Sequence, residues 1–235
     1  MLGETDPELV PLFLDRGAAE VVIRGVDFGV RDSRLAHGGR LVDLYTPDGI
    51  YDGIMLALHG AHQADNAAAA LAAAEAFLGR PLDRDVVEDA FASVRSPGRL
   101  EVVGHSPLVL LDGAHNVVGA ESLRAALAEE FAGAQRVFVV GLLREKEPHE
   151  MLEALGVTRG NARIVCCRPP SPRALDPDVV AAAARDLGVD ASRIESVDFV
   201  EEAIARALAL AEPDDQVIVT GSLYTVGAAR ALLVL

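Results

Sequence analysis

Residues 96–119 read SPGRLEVVGHSPLVLLDGAHNVVG, and this stretch decides the architecture of the second part of the chain. Ser96-Pro97-Gly98 breaks the pattern before it, and Arg99 sits in the resulting tight turn. Two short apolar segments follow, joined by Gly-His-Ser-Pro. The second, residues 108–111, is wholly aliphatic and runs into Asp112, Gly113, Ala114, His115 and Asn116 before a helical pattern begins. A short aliphatic run reads as a strand buried on both faces. Polar groups at the end of such a strand stand where open α/β sheets bind ligands.

Working outward, the alternation is regular. Strand patterns at 136–140, 163–167, 193–196 and 216–220 alternate with helical patterns near 119–131, 147–154, 177–187, 200–211 and 225–233. Repeated strand–helix units predict an α/β, mostly parallel, Rossmann-like sheet with helices on both faces. Residues 99–103 would add an antiparallel edge. Before the breaker, strands are expected at 21–24, 41–45 and 53–58, set apart by the turn sequences AHGG and TPDG. An Ala-rich helix over 66–78, capped by Asp65 or Asn66 and stopped by Gly79, is followed by a helix over 83–94. The reading divides the chain into 1–95 and 96–235.

Composition narrows the class. The 235 residues are 51% hydrophobic and 4% aromatic, enough to bury a sizeable core in one or two domains. With 21 Lys plus Arg against 36 Asp plus Glu the net charge is −15, which argues against nucleic acid as a partner. Local arginines can still serve anionic ligands. No apolar run is long enough to span a bilayer, and no basic leader precedes one. Adjacent Cys166 and Cys167 make a poor disulfide and no metal site, and the cytoplasm is the expected compartment.

The same stretch, SPGRLE…LDGAHN, closely resembles the C-terminal half of the folylpolyglutamate and dihydrofolate synthases, ATP-dependent amide-bond-forming enzymes of the Mur ligase superfamily. Four further segments match in order: HQADNAAAALAAAEAF (62–77), GLLREKEPHEML (141–152), SPRAL (171–175) and GSLYTVGAAR (221–230). The resemblance implies that residues 1–95 are the back part of a central ATP-binding domain and 96–235 a glutamate ligase domain. Two departures stand out. Asn116 is followed by Val117 where the family has proline, and Glu145-Lys146-Glu147 replaces Asp-Lys-Asp.

The resemblance also implies roles, each with a plainer alternative. Asp112 would contact ATP or cap a helix, and Arg99 would reach the phosphates or form a hinge ion pair. Asn66 would face adenine or serve as an N-cap, with His62 and Gln63 ordering the loop before it. His115 would meet phosphate or the incoming amino acid, so the catalytic pair would be His115 and Asp112. Asn116, Ser171, Arg173, Ser222 and Tyr224 are candidates for the glutamate side, against capping, packing or plain solvation. His37, His59, His105 and His149 read as structural or exposed.

The implied chemistry phosphorylates a folate or dihydropteroate carboxylate with ATP, and L-glutamate then attacks the acyl phosphate as two domains close. ATP and Mg2+ are the implied cofactors, and the full enzyme would be a monomer. No Gly-x-x-Gly-Lys-Ser/Thr loop occurs in these residues, whose sole lysine is Lys146. The magnesium ligands would belong with that loop, outside this chain, and none is expected within it. The opening MLGETDPEL reads as a family segment entered partway, so truncation is expected, and with it no appreciable turnover by the 235 residues alone. Alternatives are a Mur-type or other amino-acid ligase, a non-catalytic binding or regulatory half-subunit and, more remotely, a nicotinamide-binding domain.

Overall fold

The computed structural model describes residues 1–18, 20–131, 133 and 135–234. The chain forms two compact units, Met1–Arg95 and Ser96–Leu235. In the first, a short helix α1 (Val10–Leu14) precedes an antiparallel sheet of order β1 (Gly29–Ala36), β2 (Gly39–Tyr45) and β3 (Ile50–Leu56). Helices α2 (His62–Leu78) and α3 (Arg84–Ser93) follow. Their shared core joins Phe28, Val42, Leu44, Ile54 and Leu56 to Ala64, Ala68, Leu71 and Val87. Small alanines on α2 let the helix lie close to the sheet, and Gly79 ends it in the left-handed conformation at φ 66°.

Three expectations for this unit need correction. Residues 21–24 contribute only isolated bridges, Leu2 to Ile23 and Arg24 to Phe28, rather than a strand. The strand lies later, over β1, whose exposed side chains include Arg31, Asp32 and Arg34, with a register shift between Val30 and Asp32, and so looks like loop in sequence. Helix α2 begins at His62 with Ala61 at its N-cap position, so neither Asp65 nor Asn66 caps it.

The second unit is a six-stranded sheet of order β4-β5-β9-β6-β7-β8. Its strands are β4 (Glu101–His105), β5 (Leu108–Leu111), β6 (Arg136–Val140), β7 (Arg163–Cys166), β8 (Ile194–Ser196) and β9 (Gln216–Thr220). β4 pairs antiparallel with β5, and every other pairing is parallel. The connecting helices are α4 (Val117–Glu129), α5 (Pro148–Leu155), α6 (Pro177–Asp186) and α7 (Val200–Leu210), and α8 (Leu223–Leu233) closes the chain. The expected mostly parallel α/β sheet is what forms.

Side-chain alternation explains the two covers. Leu110, Phe138, Val140, Ile164 and Ile218 face α4, α5 and α6, together with Leu123, Leu127, Leu152 and Val180. Val109, Leu111, Val137, Val139, Val165 and Val219 face α7 and α8, against Ala203, Ile204, Ala207 and Ala229. With both faces covered, each strand reads as a continuous aliphatic run.

The order of the strands places the functional edge. β9, last in sequence, inserts between β5 and β6, so the carboxyl ends of all three lie side by side. Among the described residues no helix is long and apolar enough to cross a membrane.

Candidate active site

The turn after Ser96 is fastened to the end of β5 by backbone and carboxylate together. The Gly113 N–H donates to Gly98 O at 2.7 Å, and the Arg99 N–H to Ser96 O at 3.1 Å. Asp112, 6% exposed, accepts from the Leu100 N–H at Oδ2 and from the Ala114 N–H at Oδ1, each at 2.9 Å. It is not a helix cap; that position belongs to Asn116, whose Oδ1 accepts from the Gly119 N–H at 2.8 Å. Leu100 is held at φ 47°, an unfavourable conformation for a branched apolar residue. Its neighbour Arg99 is exposed, and among the described residues its guanidinium has no ion pair.

His115 follows directly. Its Nδ1 lies 2.9 Å from Gly113 O. A carbonyl oxygen only accepts, so Nδ1 carries the proton and, in the neutral ring, Nε2 is left with its lone pair. His115 lines a cavity of about 420 Å³ with Leu143 and Lys146 from the loop after β6, Arg173 from the loop after β7, and Gly221, Ser222, Leu223 and Tyr224 after β9. Four strand ends thus meet at one crevice on the carboxyl edge of the sheet, the expected place for a ligand.

Charge in this crevice is positive in an otherwise acidic chain. Arg173 Nη1 pairs with Glu145 Oε1 at 3.2 Å. A hydrogen bond with Tyr224 and the nearby Glu145 carboxylate raise the Arg173 pKa. Glu145 is held below the usual carboxylate range by a bond from its own backbone N–H, with Arg173 adding to the effect. Lys146 has no ion pair among the described residues. The loops that carry these cations are tied together, since the Arg144 N–H donates to Arg173 O at 2.9 Å and Leu143 bridges to Ala174.

Backbone geometry keeps the crevice open. Gly221 adopts φ +102°, and a Cβ there would lie 2.8 Å from Gly141 O, so only glycine lets β6 and β9 approach this closely. Ser222 then caps α8, its Oγ accepting from the Thr225 N–H at 3.1 Å, while Thr225 Oγ1 donates to Gly141 O at 3.1 Å.

The structure therefore gathers His115, Arg173, Ser222 and Tyr224 around one cavity and adds Lys146 and Leu143, which sequence reasoning had not placed at the site. Ser171 lies outside the lining and accepts the Arg173 N–H at 3.2 Å, supporting the loop. Asn116 opens α4 beside His115. Asn66, on α2 of the first unit, is exposed and its Nδ2 donates to Gln63 Oε1 at 3.0 Å. The buried thiols Cys166 and Cys167 are both pushed up to about 12 by burial, which leaves them protonated and inert at neutral pH.

Residues 98–223 match the family model of the Mur ligase glutamate ligase domain. The chain belongs to the Mur ligase family. The Mycobacterium tuberculosis dihydrofolate synthase/folylpolyglutamate synthase is 37% identical over 253 residues, which cover 99% of this chain and 51% of that protein. A crystal structure of the M. tuberculosis folylpolyglutamate synthase, complexed with ADP and AMPPCP, superposes with a TM-score of 0.91 at 37% identity, over 99% of this chain and 54% of that one. The Yersinia pestis bifunctional enzyme, complexed with AMPPNP and manganese ion, gives a TM-score of 0.79 at 26% identity, over 99% of this chain and 52% of the other. This Mur ligase chain spans about half the length of the curated relatives it matches. The matched segment contains Asp112, His115, Lys146, Arg173 and Ser222, so the crevice, apart from Tyr224, lies within the segment that matches the glutamate ligase domain.

Proposed function

We propose that this chain supplies the amino-acid side of a cytoplasmic, monomeric, ATP-dependent ligase that joins L-glutamate to a folate or dihydropteroate carboxylate. The observation that carries the proposal is the crevice, where Lys146 and Arg173 from two different loops flank His115, Ser222 and Tyr224. Two separated cations suit a dicarboxylate, because charge-assisted hydrogen bonds are the strong ones and Arg meets a carboxylate in two-point fashion. In its neutral form His115 presents Nε2 as an acceptor, which suits the amine that must lose a proton as it becomes an amide. Ser222 Oγ and the Tyr224 hydroxyl add polar contacts on the α8 side.

Arg99 is assigned to the phosphates of ATP, where an exposed guanidinium without an ion pair can meet oxyanions. Asp112 holds the Arg99 turn against β5 and reaches the nucleotide from there. Asn66 keeps the adenine-facing role its motif implies, and Asn116 is assigned to the glutamate side next to His115. Ser171 acts on that side through the loop that holds Arg173. When bound, a divalent cation offsets the charge of the ATP phosphates; none of the residues gathered here is assigned to hold it. Chemistry of this kind needs anionic partners brought together and developing charge neutralised. Residues 1–95 are read as the back of the central ATP-binding domain and 96–235 as the glutamate ligase domain.

The test is calorimetric titration of L-glutamate into the 235-residue chain. Saturable binding is expected, weakened about tenfold or more in K146A and in R173A, because each removes one charge-assisted contact. D-Glutamate and L-glutamine should bind more weakly. Equal affinity of both variants and wild type for L-glutamate would overturn the assignment of the crevice. ATP-dependent ligation by these residues alone is expected to be undetectable, and robust turnover would overturn that part of the reading.

A further inference from the structure

A second cavity, of about 320 Å³, opens at the other edge of the same sheet, where β6 and β7 begin. Arg136, the first residue of β6, lines it with Arg124 of α4, Arg159 from the loop after α5, and Asn161. The crevice with Lys146 and Ser222 lies beyond the carboxyl ends of these strands, so the two cavities sit at opposite ends of the sheet.

The arginines differ in what binds them. Arg136 is anchored: Nε donates to Gln216 Oε1 at 3.0 Å, and Nη2 donates to Leu127 O at 2.7 Å and Phe131 O at 3.2 Å. It thereby satisfies carbonyls at the end of α4, a natural role for a cation at a helix C-terminus. Both N–H groups of its Nη1 are without a partner among the described residues, and burial lowers its pKa.

Arg124 and Arg159 have no comparable explanation. Their stems flank Gly156, whose φ is +73°: a Cβ there would lie 2.9 Å from Arg124 Cδ and 3.6 Å from Arg159 Cδ. Two like charges are thus held beside one glycine and next to a third, and among the described residues none of the three has an ion pair. Elsewhere in this unit Arg168, Arg173, Arg206 and Arg230 pair with carboxylates, while Arg99, Arg144, Arg163, Arg185 and Arg193 have no ion pair among the described residues, so what sets the three apart is that they line one cavity.

We propose that this cavity is a second anion site that takes a phosphate group, free or carried on a small molecule, apart from the nucleotide and glutamate. A tetrahedral dianion can accept from three guanidiniums arranged around it, with the Asn161 side chain as a fourth donor. Two sources share that chemistry, inorganic phosphate and a phosphorylated metabolite, and inorganic phosphate is the probe that tests the site itself.

The experiment is a phosphate titration of the 15N-labelled chain followed by amide NMR, with sodium chloride at matched ionic strength as control. The expected result is saturable movement of the Gly156, Gly160 and Asn161 amides by phosphate alone, with affinity lowered about tenfold or more in R124Q/R159Q. R159Q alone, in an exposed loop, should weaken binding in the same direction with the remaining spectrum unchanged. The proposal is overturned if those amides stay still, if chloride moves them equally, or if the double variant saturates like wild type. Tighter saturation by malonate than by phosphate would overturn the phosphate assignment.

Discussion

At the scale of single residues, Asp112 shows why a site side chain can be structural and chemical at once. Its two oxygens receive the Leu100 and Ala114 N–H groups, and without them both donors would be buried beside an apolar side chain. An unsatisfied buried donor costs about 1–3 kcal/mol, so D112A should destabilise the chain by roughly 2–4 kcal/mol and D112N by clearly less. Urea unfolding followed by circular dichroism measures this, and a D112A midpoint equal to wild type would count against the argument. Loss of activity in D112A alone would therefore say little about nucleotide contact. Asp112, His115, Arg173, Ser222 and Tyr224 could be picked out in the sequence because each lies in a segment that resembles the family and follows a readable strand. Lys146 was visible as the sole lysine, inside a recognisable segment, yet nothing local tied it to His115. The parallel order β5-β9-β6 puts its loop on the same sheet edge as His115, where both line the crevice.

At the scale of elements, legibility followed burial. Strands β5, β6, β7 and β9 are buried on both faces and read as aliphatic runs, so their positions were plain. Strand β1 was missed because its outward face carries charge and its inward face contributes few large side chains. Its pairing with β2 depends instead on Gly38 and Gly39 in the connecting turn. Both have positive φ, yet they differ in surroundings. A Cβ at Gly38 would meet nothing, whereas at Gly39 it would lie 2.1 Å from Leu56 O, in the backbone of the neighbouring strand. G38A should cost only about 1–2 kcal/mol, the conformational penalty. G39A must also force β2 from β3, and more than about 3 kcal/mol is expected. Thermal unfolding of the pair checks this, and equal losses would show that the contact with Leu56 does not matter. The start of α2 was misplaced for a related reason: Asp65 and Asn66 look like caps, but the helix already runs through them from His62.

At the scale of the whole molecule, the two-sided burial of the second sheet makes an acid–base statement. Cys166 faces the α4–α6 side and Cys167 the α7–α8 side, and burial pushes both thiols from an ordinary 9.0 up to about 12. Tyr51, in the first unit, is pushed from 10.0 up to about 12 by burial and by its hydrogen bond to Glu75. In the unfolded chain these groups ionise at their ordinary values, while the folded chain keeps them protonated. Between about pH 9 and pH 12 the unfolded state therefore binds fewer protons, and stability must fall as pH rises. Below about pH 8 all three are protonated in both states and contribute no slope. The urea midpoint is expected to drop steadily from about pH 8.5 to pH 10.5, and C166A/C167A should flatten much of that drop. Because both thiols stay protonated in the folded chain, native protein should also react slowly with a thiol reagent at about pH 8 and rapidly once denatured. A pH-independent midpoint together with fast native labelling would mean that one cover of the sheet opens far more readily than its packing implies.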